Sequence, residues 1–119
     1  VCNGASIGEN CVVGGFVGEN CRVGANSRVF GSLVHSQLDP TIDWDEIEEP
    51  APVLGERVFV GFGALVIGGV AIQDRVYICA GATVTQDVPS RHIAFGVNQI
   101  IDFRAWKERL RHSPLFGGS

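Results

Sequence analysis

From Leu54 onward an aliphatic residue recurs at every sixth position, at Leu54, Val60, Val66, Ile72, Ile78 and Val84. Four places after each stands a second small or branched residue: Val58, Ala64, Val70, Val76, Ala82 and Val88. A period of six is neither the 3.6 of a helix nor the simple alternation of a sandwich strand. It predicts a solenoid whose triangular coils each take three hexapeptides. The same rhythm opens the chain at Val1, Ile7 and Val13, slips, and resumes at Val17, Val23 and Val29. Glycine often follows the aliphatic residue directly, as Gly8, Gly14, Gly18, Gly24, Gly55 and Gly61. Short strands that each send one aliphatic side chain inward, joined by corners that need unusual backbone angles, account for both regularities. Asn10, Asn20 and Asn26 are the predicted corner residues. Coils stacked in this way hydrogen-bond to the coils above and below and bury an inner column of Val, Ile, Leu and Ala.

The rhythm also divides the chain. Residues 1–34 form about two coils, residues 35–53 interrupt them, and residues 54–89 form two more, with Pro89 expected to end the repeats. Beyond it, Asp102 to His112 (DFRAWKERLRH) reads as a short amphipathic helix with Phe103, Trp106 and Leu110 on one face. Such a helix would cover the open end of the last coil, which otherwise presents unpaired backbone groups. The expected organisation is a β-helix over residues 1–101, with its insertion at 35–53, and a capping helix and tail over 102–119.

Composition narrows the function more than the fold. Charged residues are 18% of the chain, hydrophobic residues 45%, and glycine contributes 16 of 119 residues, as a corner-rich solenoid requires. No run approaches the ~18 apolar residues of a membrane span, and no signal-peptide pattern is present. A soluble, cytoplasmic chain is the resulting expectation. A net charge of −4 without clustered Lys and Arg argues against a general nucleic-acid binder. The absence of methionine and an opening in mid-rhythm at Val1 predict further residues upstream, an N-terminal cap among them.

The four cysteines are expected to pack rather than to react. Cys11 and Cys21 occupy the small inward slot four places after Ile7 and Val17, and Cys2 and Cys79 directly follow an aliphatic residue. No CxxC pair occurs, and spacings of 9, 10 and 58 match no common zinc pattern.

The interruption, HSQLDPTIDWDEIEEPAPV, is where chemistry is expected, because loops carried on a rigid scaffold are where function concentrates. It opens at His35, six residues after Val29, where the rhythm calls for an aliphatic side chain. Asp39, Asp43, Asp45, Glu46, Glu48 and Glu49 make the segment acidic, and Trp44 is its one large anchor. The carboxylates read first as a solvated face; the alternative is that one of them orients His35 or contacts a polar acceptor.

With these residues in view, the stretch from His35 through PVLGERVFVGFGALVIGGVAIQDRVYICAGATVTQDVP resembles the hexapeptide-repeat acyltransferases, specifically the maltose, galactoside and xenobiotic O-acetyltransferases. The resemblance covers about half the chain and includes the loop length. It implies an all-β, left-handed parallel β-helix with a protruding loop opened by a catalytic histidine. It further implies a homotrimer with acetyl-CoA in clefts between subunits, its pantetheine arm along the corners of the last coils.

The acetyl-CoA contacts that the resemblance implies fall on Phe62 in VGFGAL, Ala80 in ICAGAT and Thr85 in VTQD, with Phe59 where the family often has tryptophan. Gln86 stands where lysine is usual, and GVNQII replaces the usual G-x-P-A and basic residues, so Arg91, Arg104 and Lys107 become the candidate partners of the CoA phosphates. Candidate contacts to the acceptor are Asn3, Asp39 and Trp44. No metal is expected.

The chemistry implied is acetyl transfer to a hydroxyl or amine of a sugar or other small molecule. A neutral hydroxyl attacks a thioester poorly, and an imidazole that titrates near neutrality can take its proton as the bond forms. His35 is the expected base. Two other readings stay open. One is a non-catalytic β-helix serving assembly or sugar binding. The other is a γ-type carbonic anhydrase, which needs three histidines on zinc, whereas His92 and His112 lie beyond the last repeat.

Overall fold

The structure is a computed structural model that describes Cys2, residues 4–36, Thr41 and residues 50–106. Among the described residues fourteen short strands make three faces of a left-handed β-helix. The first face stacks β1 (Ser6–Ile7), β4 (Arg22–Val23), β7 (Val53–Leu54) and β10 (Ala71–Ile72). The second stacks β2 (Val12–Val13), β5 (Arg28–Val29), β8 (Phe59–Val60), β11 (Tyr77–Ile78) and β13 (His92–Phe95), with β14 (Gln99–Asp102) antiparallel at its end. The third stacks β3 (Phe16–Val17), β6 (Ser32–Val34), β9 (Leu65–Ile67) and β12 (Thr83–Val84).

Each two-residue strand turns one side chain in and one out, which is how a six-residue period builds a prism. The six aliphatic residues from Leu54 to Val84 are all buried, and so are all six residues four places after them. Val17, Val23, Val29 and Leu33 continue the column upward, with Ile7 and Val13 half-buried at its edge. The predicted corner asparagines Asn10, Asn20 and Asn26 all adopt positive φ. That conformation is costly for most side chains and comparatively accessible to asparagine.

Coil length differs on the two sides of the interruption. Leu54 pairs with Ile72, eighteen residues on, whereas Ile7 pairs with Val23, sixteen residues on. The missing two residues come from the corner between the second and third faces. There Gly15 and Gly31 allow a turn so tight that a Cβ on Gly15 would collide with the carbonyl of Gly31. Leu33 therefore pairs with Val17 and Val66 and fills the inward slot. This corrects the expectation that His35 replaces an aliphatic residue of the rhythm; the slot comes four residues after Val29, and His35 follows the end of β6.

Pro89 does not end the coils either. Val88 bridges to Ile72, Tyr77 and Ile78 pair with Ile93 and Ala94, and Val97 bridges to Thr83, so a further turn follows the proline. Proline sits at a corner, where its missing N–H interrupts no ladder. The last turn then folds back through β14, a hairpin that the period of six gave no reason to expect. Residues 103–106 are helical, and Trp106 packs its ring on Phe95 at 5.5 Å. The remainder of the predicted helix, including Leu110, lies outside the described residues.

Candidate functional site

His35 leaves β6 at the edge between the third and first faces. Its Nε2 lies 2.7 Å from the carbonyl oxygen of Glu19, in the corresponding corner of the coil above. A carbonyl only accepts, so this bond requires the proton on Nε2 and leaves the neutral ring's lone pair on Nδ1. The backbone on either side is also fixed. The Gly68 amide donates to the carbonyl of Val34 at 2.9 Å, and the Ser36 side chain lies against Gly68, which adopts a positive φ of 84°. His35 is thus a half-buried imidazole held between the corners of two neighbouring coils.

The cofactor candidates divide between two edges and a face. Phe62 and Ala80 share the edge between the second and third faces, where the Gly81 amide donates to the carbonyl of Phe62 at 3.0 Å. Phe62 is 81% exposed, an unusual state for an aromatic side chain. Gly63 and Gly81 both take positive φ at this edge, and a Cβ on Gly81 would meet only open space. An extended chain of amides and methylenes would find bare backbone and an apolar ring here.

Thr85 and Gln86 lie on the same edge as His35, two coils further on, roughly 10 Å along the stack. Both are engaged with one residue. The Thr85 amide donates to Oδ1 of Asn98 and Asn98 Nδ2 donates to Oγ1 of Thr85, each at 2.7 Å, while Gln86 Nε2 donates to the Asn98 carbonyl at 3.2 Å. These contacts tie the last turn to the coil before it. Phe59 lies on the second face, stacked on Tyr77 with ring centroids 4.6 Å apart and tilted against Phe30 at 5.7 Å.

The basic candidates Arg91 and Arg104 stand elsewhere, at the edge between the first and second faces, in a pocket with Arg75. Asn3, Asp39, Trp44, Lys107 and His112 lie outside the described residues. Among the described residues no group of His, Cys, Asp and Glu converges as a metal site. No helix of these residues is long and apolar enough to cross a membrane.

All four cysteines are free thiols. Cys21 is fully buried as expected, whereas Cys2, Cys11 and Cys79 are only half-buried. Burial pushes the Cys21 and Cys79 thiols up from their ordinary value, and in Cys21 a backbone hydrogen bond from Gly18 opposes the rise.

The family described as hexapeptide repeat of succinyl-transferase matches residues 16–31 and 53–86, the coils on both sides of the interruption. The chain belongs to the hexapeptide-repeat proteins. Among relatives of this hexapeptide-repeat chain, the bifunctional protein GlmU of Streptococcus gordonii is 34% identical over 74 residues, 62% of this chain and 16% of that protein.

Among solved structures, soybean serine acetyltransferase as the apoenzyme superposes with a TM-score of 0.71 at 26% identity, covering 82% of this chain and 40% of that one. Serine acetyltransferase from Brucella abortus strain S19, in complex with coenzyme A, gives a TM-score of 0.67 at 21% identity over 83% of this chain and 40% of that one, a likeness of fold. The hexapeptide-repeat chain therefore spans about a sixth of the GlmU relative and two fifths of these acetyltransferases.

The sequence did not disclose the carbonyl of Glu19 as the partner of His35, because a backbone acceptor leaves no residue-type signal. It also did not disclose Arg75 as a neighbour of Arg91. That pair was readable in principle, since both follow a polar residue at the same corner of successive coils.

Proposed function

We propose that this hexapeptide-repeat chain is a CoA-dependent acyltransferase domain that moves an acetyl group from acetyl-CoA to a hydroxyl or amine of a sugar or other small molecule. The observation that carries this reading is His35, fixed between two corners by the Glu19 carbonyl at the mouth of the interruption. The likeness to acetyltransferases, one of them holding coenzyme A, supports the same chemistry.

In this mechanism Nδ1 of His35 takes the proton from the acceptor as its oxygen or nitrogen bonds to the thioester carbonyl carbon. The tetrahedral intermediate collapses by breaking the carbon–sulfur bond, and the departing thiolate receives the proton from the imidazolium. The Glu19 carbonyl holds the ring in the tautomer that accepts at Nδ1 and can stabilise the imidazolium when it forms. A positioned base of this kind contributes roughly two to four powers of ten in rate. The rest comes from holding two substrates together and from backbone N–H groups facing the oxyanion.

The bare edge at Phe62, Gly63, Ala80 and Gly81 suits the pantetheine arm. Thr85 and Gln86, being committed to Asn98, fix the backbone of the adjacent edge that carries His35. We assign the site to the cleft between subunits of a homotrimer in the cytoplasm, and keep Asn3, Asp39 and Trp44, outside the described residues, as the proposed contacts to the acceptor. The maltose, galactoside and xenobiotic branch remains part of this proposal.

The test is His35→Ala, assayed by release of CoA thiol across a panel of hydroxyl and amine acceptors. Loss of 100-fold or more in turnover, with acetyl-CoA binding and oligomeric state retained, is expected. Turnover within a few-fold of the parent overturns the assignment of the base, and no thiol release by the parent with any acceptor favours a non-catalytic assembly or sugar-binding role.

A further inference from the structure

The corner between the first and second faces carries a column of residues with positive φ, one per coil: Asn10, Asn26, Arg57, Arg75 and Arg91. Each amide below the first donates to the coil above it, Asn26 to the Glu9 carbonyl, Arg57 to Ala25, Arg75 to Glu56 and Arg91 to Asp74. The backbone requirement is therefore the same throughout, yet asparagine, which tolerates this conformation, gives way to arginine, which tolerates it less well. Arginines on successive coils also repel one another across a spacing of about 4.8 Å. Fold stability gains from neither substitution, and a strained residue retained at a surface site points to function.

Where the column ends, Arg75 and Arg91 meet Arg104 around a cavity of about 610 Å³, completed by Ser90, Asp102 and Phe103. Among the described residues of this lining the one carboxylate, Asp102, accepts the Arg104 amide through Oδ1 at 2.7 Å. Across the corner, Oδ1 of Asp74 accepts the Glu56 amide at 2.8 Å. These described residues, three guanidiniums and one carboxylate, bring a charge of +2 to a cavity of small-ligand size. Phe103, 44% exposed, supplies an apolar wall.

We propose that this pocket binds an organic phosphate monoester, its dianion held by Arg75, Arg91 and Arg104 and its organic part against Phe103. Guanidinium forks match phosphate oxygens in charge and geometry, and a dianion matches the net charge where a single carboxylate would not. The cavity is larger than a bare phosphate needs. On the single chain the pocket lies along the third edge of the prism, away from those of His35 and Phe62, and its binding of a phosphate monoester does not rest on the acyl-transfer reading.

The experiment is calorimetric titration of the 119-residue chain with adenosine monophosphate, ribose 5-phosphate and inorganic phosphate at low and at physiological salt. Both esters are expected to bind saturably and more tightly than inorganic phosphate. Phe103→Ala should reduce the preference for adenosine monophosphate if a planar base is the organic part, and leave it unchanged if a sugar is. The double variant Arg75→Asn, Arg91→Asn places at these corners the residue that the upper coils already use, so folding should be kept while affinity falls at least tenfold. Arg57→Asn, one coil above and outside the lining, should change affinity less than twofold.

No saturable binding of either ester, or an equal loss with Arg57→Asn, overturns the proposal. So does displacement of adenosine monophosphate by acetyl-dephospho-CoA, which carries no phosphate monoester, because that would merge the pocket with the acetyl-CoA cleft. That result is distinct from any failure of the His35 assay.

Discussion

Ser27 is fully enclosed by the core, and both directions of its hydroxyl are used. It donates to the Gly55 carbonyl at 3.3 Å and accepts the Val58 amide at 3.2 Å, joining the coil before the interruption to the coil after it. Ser27→Ala would leave that buried amide without its acceptor. The expected loss is about 1–3 kcal/mol, read as a lower midpoint in urea denaturation.

Cys21 makes the residue scale sensitive to pH. Burial holds its thiol above the ordinary 9.0, so the folded chain retains the proton more tightly than the unfolded chain does. Its stabilising contribution is complete below 9.0 and is lost as pH rises through the higher folded value. The denaturation midpoint should therefore fall as pH rises above 9.0. Cys21→Ala should flatten that fall, leaving the slope due to Cys79.

At the scale of the element, the tight corners decide where the active-site candidate stands. A Cβ on Gly31 would approach the Ala64 carbonyl to 2.5 Å and the Gly61 carbonyl to 2.8 Å, and neither backbone group can swing away as a side-chain tip would. Gly31→Ala should cost about 1–3 kcal/mol through forced backbone shifts. It should also lower acetyl transfer, because β6 carries His35 at its end. A variant that lost stability but kept full turnover would separate the corner from the site.

These corners also mark where the sequence could be read and where it could not. From Leu54 to Val88 the spacing alone placed every inward residue, because burial there follows the period without exception. The corner at Gly31 was missed although its neighbour was visible. Val13-Gly14-Gly15-Phe16-Val17 returns as Val29-Phe30-Gly31-Ser32-Leu33, with the same shortened step. A strict count of six carried the slot past Leu33 to His35. The extra turn beyond Pro89 was obscured by proline's reputation as a breaker, although Val88 and Ala94 keep the six-residue step. As for the site, His35 was singled out from its place beside the loop, whereas its carbonyl partner and the gathering of distant arginines exist only once the coils are stacked.

For the whole molecule, each coil touches only its neighbours, so stability is a sum of successive interfaces. The interface between β4, β5, β6 and β7, β8, β9 differs from the rest in one respect. Its partners are 31 to 33 residues apart, as in Val23 with Leu54 and Leu33 with Val66, while the later coils join partners only 14 to 18 apart. Closing the longer loop costs the unfolded chain roughly 0.5 kcal/mol more, and non-local contacts form more slowly than local ones. The coils on each side of the interruption should therefore form first and the interface between them last. Pulsed hydrogen exchange during refolding should protect the amides of Phe59, Gly61 and Leu65, bonded to the next coil on their own side, before those of Gly24, Arg28 and Phe30, bonded across the interruption. In that order His35 meets Glu19, on its own side of the interruption, before the coils that carry Phe62 and Gly81 stack against it. A chain halted partway would hold the base and the wall as two finished halves, and the interruption would then act as the timing step that separates folded repeats from a working site.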